Sequence, residues 1–211
     1  MRQVPASITS RLHLAAGRIA DEGLEHTRVD DIAALAGIPR ATLYYHFAGK
    51  EEILAHLLTD VVSAVARAVH AAAEGLGSAR QRLTRVVEAQ LAVMAENPAT
   101  CRALLAEFGR VERIPALATA IEDAYYAPVR RLLDEGARDG SLRRVDSSVG
   151  SRFVLGAVTV NGLARIVRDD AVDPRKLARE VMALLLGGLA GPTDLDGAGR
   201  RSRPKASRSL V

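Results

Sequence analysis

Six side chains with hydrogen-bonding or cationic ends, Arg40, Thr42, Tyr44, Tyr45, His46 and Lys50, fall within eleven consecutive residues. In a helix starting near Pro39, Leu43 and Phe47 lie four apart and turn toward a core. Arg40, Ala41, Tyr44 and Tyr45 are then left on the opposite side. Two phenols, an imidazole and a guanidinium presented together suit phosphate oxygens and base edges, the groups a DNA duplex offers. Arg40, near the helix start, has the fork for a bidentate contact to a guanine edge. Thr42, Tyr45, His46 and Lys50 suit the phosphate backbone. Arg28, just ahead of the preceding helix, is a further phosphate candidate, since cations and helix N-termini both attract anions.

Two short helices and a glycine turn must position these groups. The first is expected over residues 29–36, with Ile32, Leu35 and Ala36 spaced to share one inward face. Gly37 follows the last periodic residue, where a left-handed backbone ends many helices. Pro39 fits the opening turn of the next helix, because its missing N–H costs nothing there. Such a pair is either a helix-turn-helix that lays its second helix in the major groove or a plain helical hairpin whose aromatics pack inward. Periodicity alone leaves both open.

Residue types and spacing at 27–33, 36–38, 42–47 and 50–54 closely resemble the amino-terminal DNA-binding domain of the TetR family of bacterial transcriptional regulators. The amphipathic stretch 8–23 corresponds to that family's first helix. The resemblance implies that Arg40 and Tyr44 face the groove. It also implies that Thr42, Tyr45, His46 and Lys50 touch phosphate, with Leu43 and Phe47 in the core. Two positions depart from the family pattern. Arg28 stands where many members have a Ser or Thr cap, so either Thr27 caps one position early with Asp30 closing the box, or Arg28 contacts phosphate directly. Pro39 stands where many have Ser, which removes that residue's capping and phosphate role.

The charge balance carries no DNA signal of its own. Arg200, Arg201, Arg203, Lys205 and Arg208 crowd the end of the chain, and the preceding residues hold 24 basic against 25 acidic side chains. Affinity of the body for DNA must come from arrangement. Aromatics are only 3% of the chain, so Ala, Leu and Val must fill the core. The single Cys101 excludes an internal disulfide and reads as a packed small hydrophobe. Arg18, Asp21 and Glu22 interrupt the early apolar stretch, and the later apolar runs at 153–167 and 181–190 are broken or short, so neither a secretory signal nor a membrane span is expected and the location is read as cytoplasmic.

Beyond Lys50 nearly every segment has helical period. Helices are expected from Lys50 to about Ala73, over about 79–95, 99–110 and 116–138 (kinked at Pro128), from an Asp146 cap to about 168, and from Asp173-Pro174 to about 189. The fold class is thus all-α. A three-helix helix-turn-helix domain (1–50) precedes a larger helical bundle for effector binding and dimerisation (51–190), followed by a disordered basic tail (191–211). The last two helices are apolar on two sides: Val149, Phe153, Gly156, Val160, Leu163 and Val167 form one stripe, with Leu155, Val158 and Gly162 beside it. The final helix places Leu177, Val181, Leu184 and Gly188 likewise. Two apolar sides need two covers, and a second copy of the chain supplies the outer one; family members commonly pair through these helices. A two-fold dimer implies double-stranded DNA with a palindromic operator.

The resemblance further implies an effector pocket within the bundle, for which Phe108, Tyr125, Phe153, Asn161 and Arg165 are candidates, the effector being small and largely apolar. Each has a packing account as well; Asn161, polar among apolar neighbours, stands out. Catalysis has no support. His13, His26, His46, His56 and His70 form no i,i+4 pair, and no phosphate-binding glycine loop is present, so no metal or cofactor is expected. The function expected is a DNA-binding repressor released by its effector. The alternative is a dimeric protein-interaction module whose helix-turn-helix is architectural.

Overall fold

The computed structural model describes residues 4–23, 26–106, 115–168 and 172–188, which are all-α. Helices α1 (Ala6–Glu22), α2 (Val29–Ala36) and α3 (Arg40–His46) form the amino-terminal head. Helix α4 (Lys50–Ala73) leaves the head and enters a larger bundle. That bundle contains α5 (Ala79–Glu96), α6 (Pro98–Ala106), α7 (Pro115–Ile121), α8 (Ala127–Asp139), α9 (Ser147–Val167) and α10 (Pro174–Gly187). The expected helix over 99–110 is described only to Ala106. Phe108, Leu189 and the tail at 191–211 lie outside the described residues.

The head core gathers Leu12, Ala16 and Ile19 of α1, Ile32, Ala33 and Ala36 of α2, and Leu43 and Phe47 around α3. Ile53, Leu54, Leu57 and Leu58, the first turns of α4, belong to the same cluster. Leu35 is not among them: it is 48% exposed, and Ala33 takes the inward position instead. Two small side chains at positions 33 and 36 flank Ile32 on the side facing α1. The buried arc is centred between Ile32, Ala33 and Ala36, roughly 100° round the helix from Leu35, which therefore meets solvent.

The turn between α2 and α3 is chemically determined. Gly37 is left-handed (φ 59°), the Ile38 N–H reaches Ala33 O at 2.9 Å and the Gly37 N–H reaches Ala34 O at 3.1 Å. These two bonds close the end of α2 in a Schellman pattern, with Ile38 buried beneath it. Arg11 of α1 donates from Nε to Ala36 O at 2.9 Å and supports the same turn. At the other end of α2 the cap is Arg28, whose N–H is accepted by the Asp31 carboxylate at 3.3 Å. Thr27 does not cap: it is fully buried and its hydroxyl donates to Gly23 O, closing the end of α1.

In the bundle, Ser78, Asp146 and Asp173 cap α5, α9 and α10 by accepting backbone N–H groups of the first turn. The regular helix expected over 116–138 with a kink at Pro128 is instead interrupted ahead of the proline, which stands in the first turn of α8. The helix widens into a π turn over Glu122–Tyr126, where the Ala127 N–H bonds five residues back to Glu122 O. A proline ring crowds the carbonyl four residues before it and offers no N–H; one wider turn relieves both. Gly162 lets α9 touch α5, since a Cβ there would lie 2.6 Å from Met94 Cε. One helix among the described residues, α4, is long and apolar enough to cross a bilayer; its apolar stripe is shared between the two cores.

Candidate functional site

Burial of Leu43 and Phe47, both 2% exposed or less, turns the opposite side of α3 outward. Arg28, Arg40, Ala41, Tyr44 and Tyr45 are exposed there, and Thr42, His46 and Lys50 are half-buried. Arg40 Nε lies 2.9 Å from Asp30 Oδ1 of α2, and its guanidinium carbon stands 5.4 Å from the centre of the Tyr44 ring. The guanidinium is therefore held by an ion pair and an aromatic face together. Tyr45 and His46 meet edge to face at 5.0 Å, and His46 Nδ1 is buried without a partner among the described residues. The sequence reading missed Asp30 in this role. The available signal was that a carboxylate in the first turn of α2 and a guanidinium in the first turn of α3 flank the same short turn.

The head meets the bundle through a polar joint. His13 of α1 lies 2.9 Å through Nε2 from the Asp60 carboxylate of α4 and 2.8 Å through Nδ1 from the Thr100 hydroxyl of α6. With Nε2–H donated to Asp60, Nδ1 of the neutral ring accepts from Thr100, which is 2% exposed. Thr9 of α1 pairs with His56 of α4 at 2.9 Å, and His56 also stacks obliquely on Phe47 at 5.4 Å. Burial pulls the His56 pKa below its ordinary value, against the attraction of Asp60 and with the help of His13 and His46. Ala103 of α6 completes the contact by entering the head core.

Where α4, α5, α6, α9 and the π turn converge, the bundle holds a cavity of about 130 Å³. Its wall includes Val61, Val62 and Val65 of α4, Met94 of α5, Cys101 of α6 and Leu155 of α9. Burial pushes the Cys101 thiol up to about 12, so it stays neutral. Tyr125, presented by the π turn, and Gln90 of α5 are the polar members with unmet atoms. Of the anticipated pocket residues, only Tyr125 reaches this cavity among those described. Phe153 is 67% exposed and borders a separate surface groove with Leu142 and Val145. Asn161 is exposed and its amide donates to Ala157 O, one turn back. Arg165 lies 3.9 Å from Glu180, an ion pair between α9 and α10. All three sit on faces of α9 turned away from α5, because Ser151, Val154, Val158, Gly162 and Ile166 form the buried stripe. Gln90 was overlooked, although a polar residue between Val86 and Met94 on the inward face of α5 carried the signal that was read at Asn161.

The outward side of α9 carries an apolar stripe that continues at Leu184 of α10. Val149, Val160 and Val167 are each more than half exposed, as are Phe153 and Leu184. A Cβ at Gly156 or Gly187 would meet nothing within 4 Å, so these small residues face open space. Gly162, on the inward side of α9, is instead spent on the α5 contact.

Residues 12–57 match the model of the family described as bacterial regulatory proteins, tetR family, and residues 76–189 match a tetracyclin repressor-like C-terminal domain. The HTH-type transcriptional repressor KstR2 of Rhodococcus jostii (strain RHA1) is 30% identical over 196 residues, covering 87% of this chain and 91% of that protein. The TetR-family regulator PfmR of Thermus thermophilus superposes with a TM-score of 0.74 at 26% identity, covering 86% of this chain and 96% of the other. The ketosteroid transcriptional regulator KstR2 of Mycobacterium tuberculosis superposes with a TM-score of 0.71 at 25% identity, covering 88% of this chain and 96% of the other. The helix-turn-helix head, the bundle behind it and the match of both to family models lead to one conclusion: this chain belongs to the TetR family of DNA-binding transcriptional regulators.

Proposed function

We propose that this regulator is a homodimeric repressor that binds a palindromic operator and is released by a small apolar effector held in the interior cavity. One observation carries the reading: α4 is a single helix with its first turns in the head core and Val61, Val62 and Val65 in the cavity wall. A ligand that displaces those valines moves the same rigid element against which α1 and Phe47, just after α3, pack. The joint at His13, Asp60 and Thr100 gives the movement a second path, through α6 into α1. Effector binding then changes the spacing of two heads, and a palindrome tolerates only one spacing. Repression as the sign of control is supported by the Rhodococcus relative, which is named a repressor.

Within this reading Arg40 and Tyr44 meet base edges, Ala41 packs against the groove, and Arg28, Thr42, Tyr45, His46 and Lys50 hold phosphates. The exposed apolar faces of α9 and α10 are the dimer interface, each copy covering the other. The test is to mix the full chain with sheared genomic DNA from its source and sequence what is retained at moderate salt. A few fragments sharing a palindrome support the proposal. Uniform retention, unchanged by Tyr44→Ala, overturns it in favour of an architectural role.

A further inference from the structure

Two buried polar atoms stand unmet in an otherwise apolar cavity. Tyr125 is 1% exposed and Gln90 is 4% exposed, yet neither the Tyr125 hydroxyl nor Gln90 Oε1 has a hydrogen-bond partner among the described residues. Leaving such atoms unpaired in a protein interior is costly. Both line the same cavity, from different elements. Burial raises the Tyr125 pKa above the ordinary phenol value, so the group stays an O–H donor. The Gln90 amide already donates from Nε2 to Thr159 Oγ1 at 3.0 Å, which leaves Oε1 as an acceptor. The described wall contains no Arg, Lys, His, Asp or Glu, so a charged ligand group would lose its hydration with no opposite charge to meet it.

A donor and an acceptor in one largely apolar, uncharged wall are complementary to a hydroxyl. Resting on the reading of this cavity as the effector site, we propose that the effector is an uncharged, mostly hydrocarbon molecule recognised by one hydroxyl. That hydroxyl accepts from Tyr125 and donates to Gln90. A ketone meets Gln90 only after the amide turns over, with Thr159 then donating to Oε1 where it now accepts from Nε2. The volume, about 130 Å³, is close to that of apolar protein cavities that take up a benzene ring. A monocyclic alcohol or phenol of about eight non-hydrogen atoms is the matching size.

The test titrates full-length protein, without DNA, with p-cresol, with its isostere p-xylene and with p-toluate, using calorimetry. The expected result is p-cresol binding roughly tenfold tighter than p-xylene, with no binding of p-toluate. Tyr125→Phe, which removes one oxygen and no packing volume, should abolish most of that preference while p-xylene still binds. Gln90→Leu should do the same from the acceptor side. Equal affinity for p-cresol and p-xylene overturns the proposal, as does a preference that survives both variants or p-toluate binding tightest. Operator affinity measured on the same samples separates the two readings. Selective p-cresol binding that leaves the operator bound sinks the effector role and keeps the cavity chemistry. Release by a compound lacking the hydroxyl, with no selective p-cresol binding, sinks the cavity chemistry alone.

Discussion

Arg40 is presented differently from a freely waving surface arginine. Its ion pair with Asp30 and its position over Tyr44 restrain the planar fork before any DNA arrives, so less side-chain freedom is lost on forming a bidentate contact. Asp30 also places a negative charge beside this exposed surface, which would penalise a wrongly seated phosphate. Arg40→Ala is therefore expected to weaken operator binding by about 1–3 kcal/mol and to lose discrimination at a single base pair. Lys50→Ala should weaken operator and random duplex alike and flatten the salt dependence. Titrating both variants against both duplexes at several salt concentrations checks this; equal losses by Arg40→Ala on the two DNAs would remove its base-reading role.

At the scale of elements, the joint between α1, α4 and α6 sets a pH dependence. His56 is held below its ordinary pKa of 6.5, chiefly by burial. In the unfolded chain the ring regains that value and takes up a proton more readily. As pH falls below about 6.5 and passes through the folded pKa, the unfolded state therefore binds more protons and stability declines. The contribution is fully present above the unfolded value. Urea midpoints for wild type and His56→Gln between about pH 7.5 and 5.5 test this. The wild-type midpoint should drop more steeply over that window; parallel curves would refute it.

At the scale of the whole molecule, the proposed dimer covers the apolar stripe that one chain leaves exposed on α9. Val160 is 65% exposed at the middle of α9, flanked by Gly156 with open space before it. A charge at the centre of a dry interface has no partner and costs several kcal/mol. Val160→Asp is thus expected to yield monomers in sedimentation at concentrations where wild type is dimeric. It should lower operator affinity well below wild type while leaving helical content intact. A wild-type chain that sediments as a monomer would dispose of the interface assignment.

Local signals were sufficient wherever a backbone rule operates on neighbours in the chain. Gly37 ends α2 through its left-handed turn, Asp146 and Asp173 start α9 and α10, and the 43/47 spacing orients α3; each depends on residues within a turn or two. The family resemblance was legible for the same reason, since the head is built almost entirely from one short stretch. Tertiary packing decided the rest. Which apolar stripe of α9 goes inward depends on where Met94 and Leu91 of α5 meet Gly162, and a two-sided apolar helix does not announce which side wins. That choice sent Phe153, Asn161 and Arg165 away from the cavity and left Gln90 and Tyr125 within it. Likewise Leu35 faces solvent because the buried arc of α2 runs through Ile32, Ala33 and Ala36. Periodicity specifies a set of faces; only the packed partners of each helix determine which face is buried and which unmet polar atoms end up in one cavity.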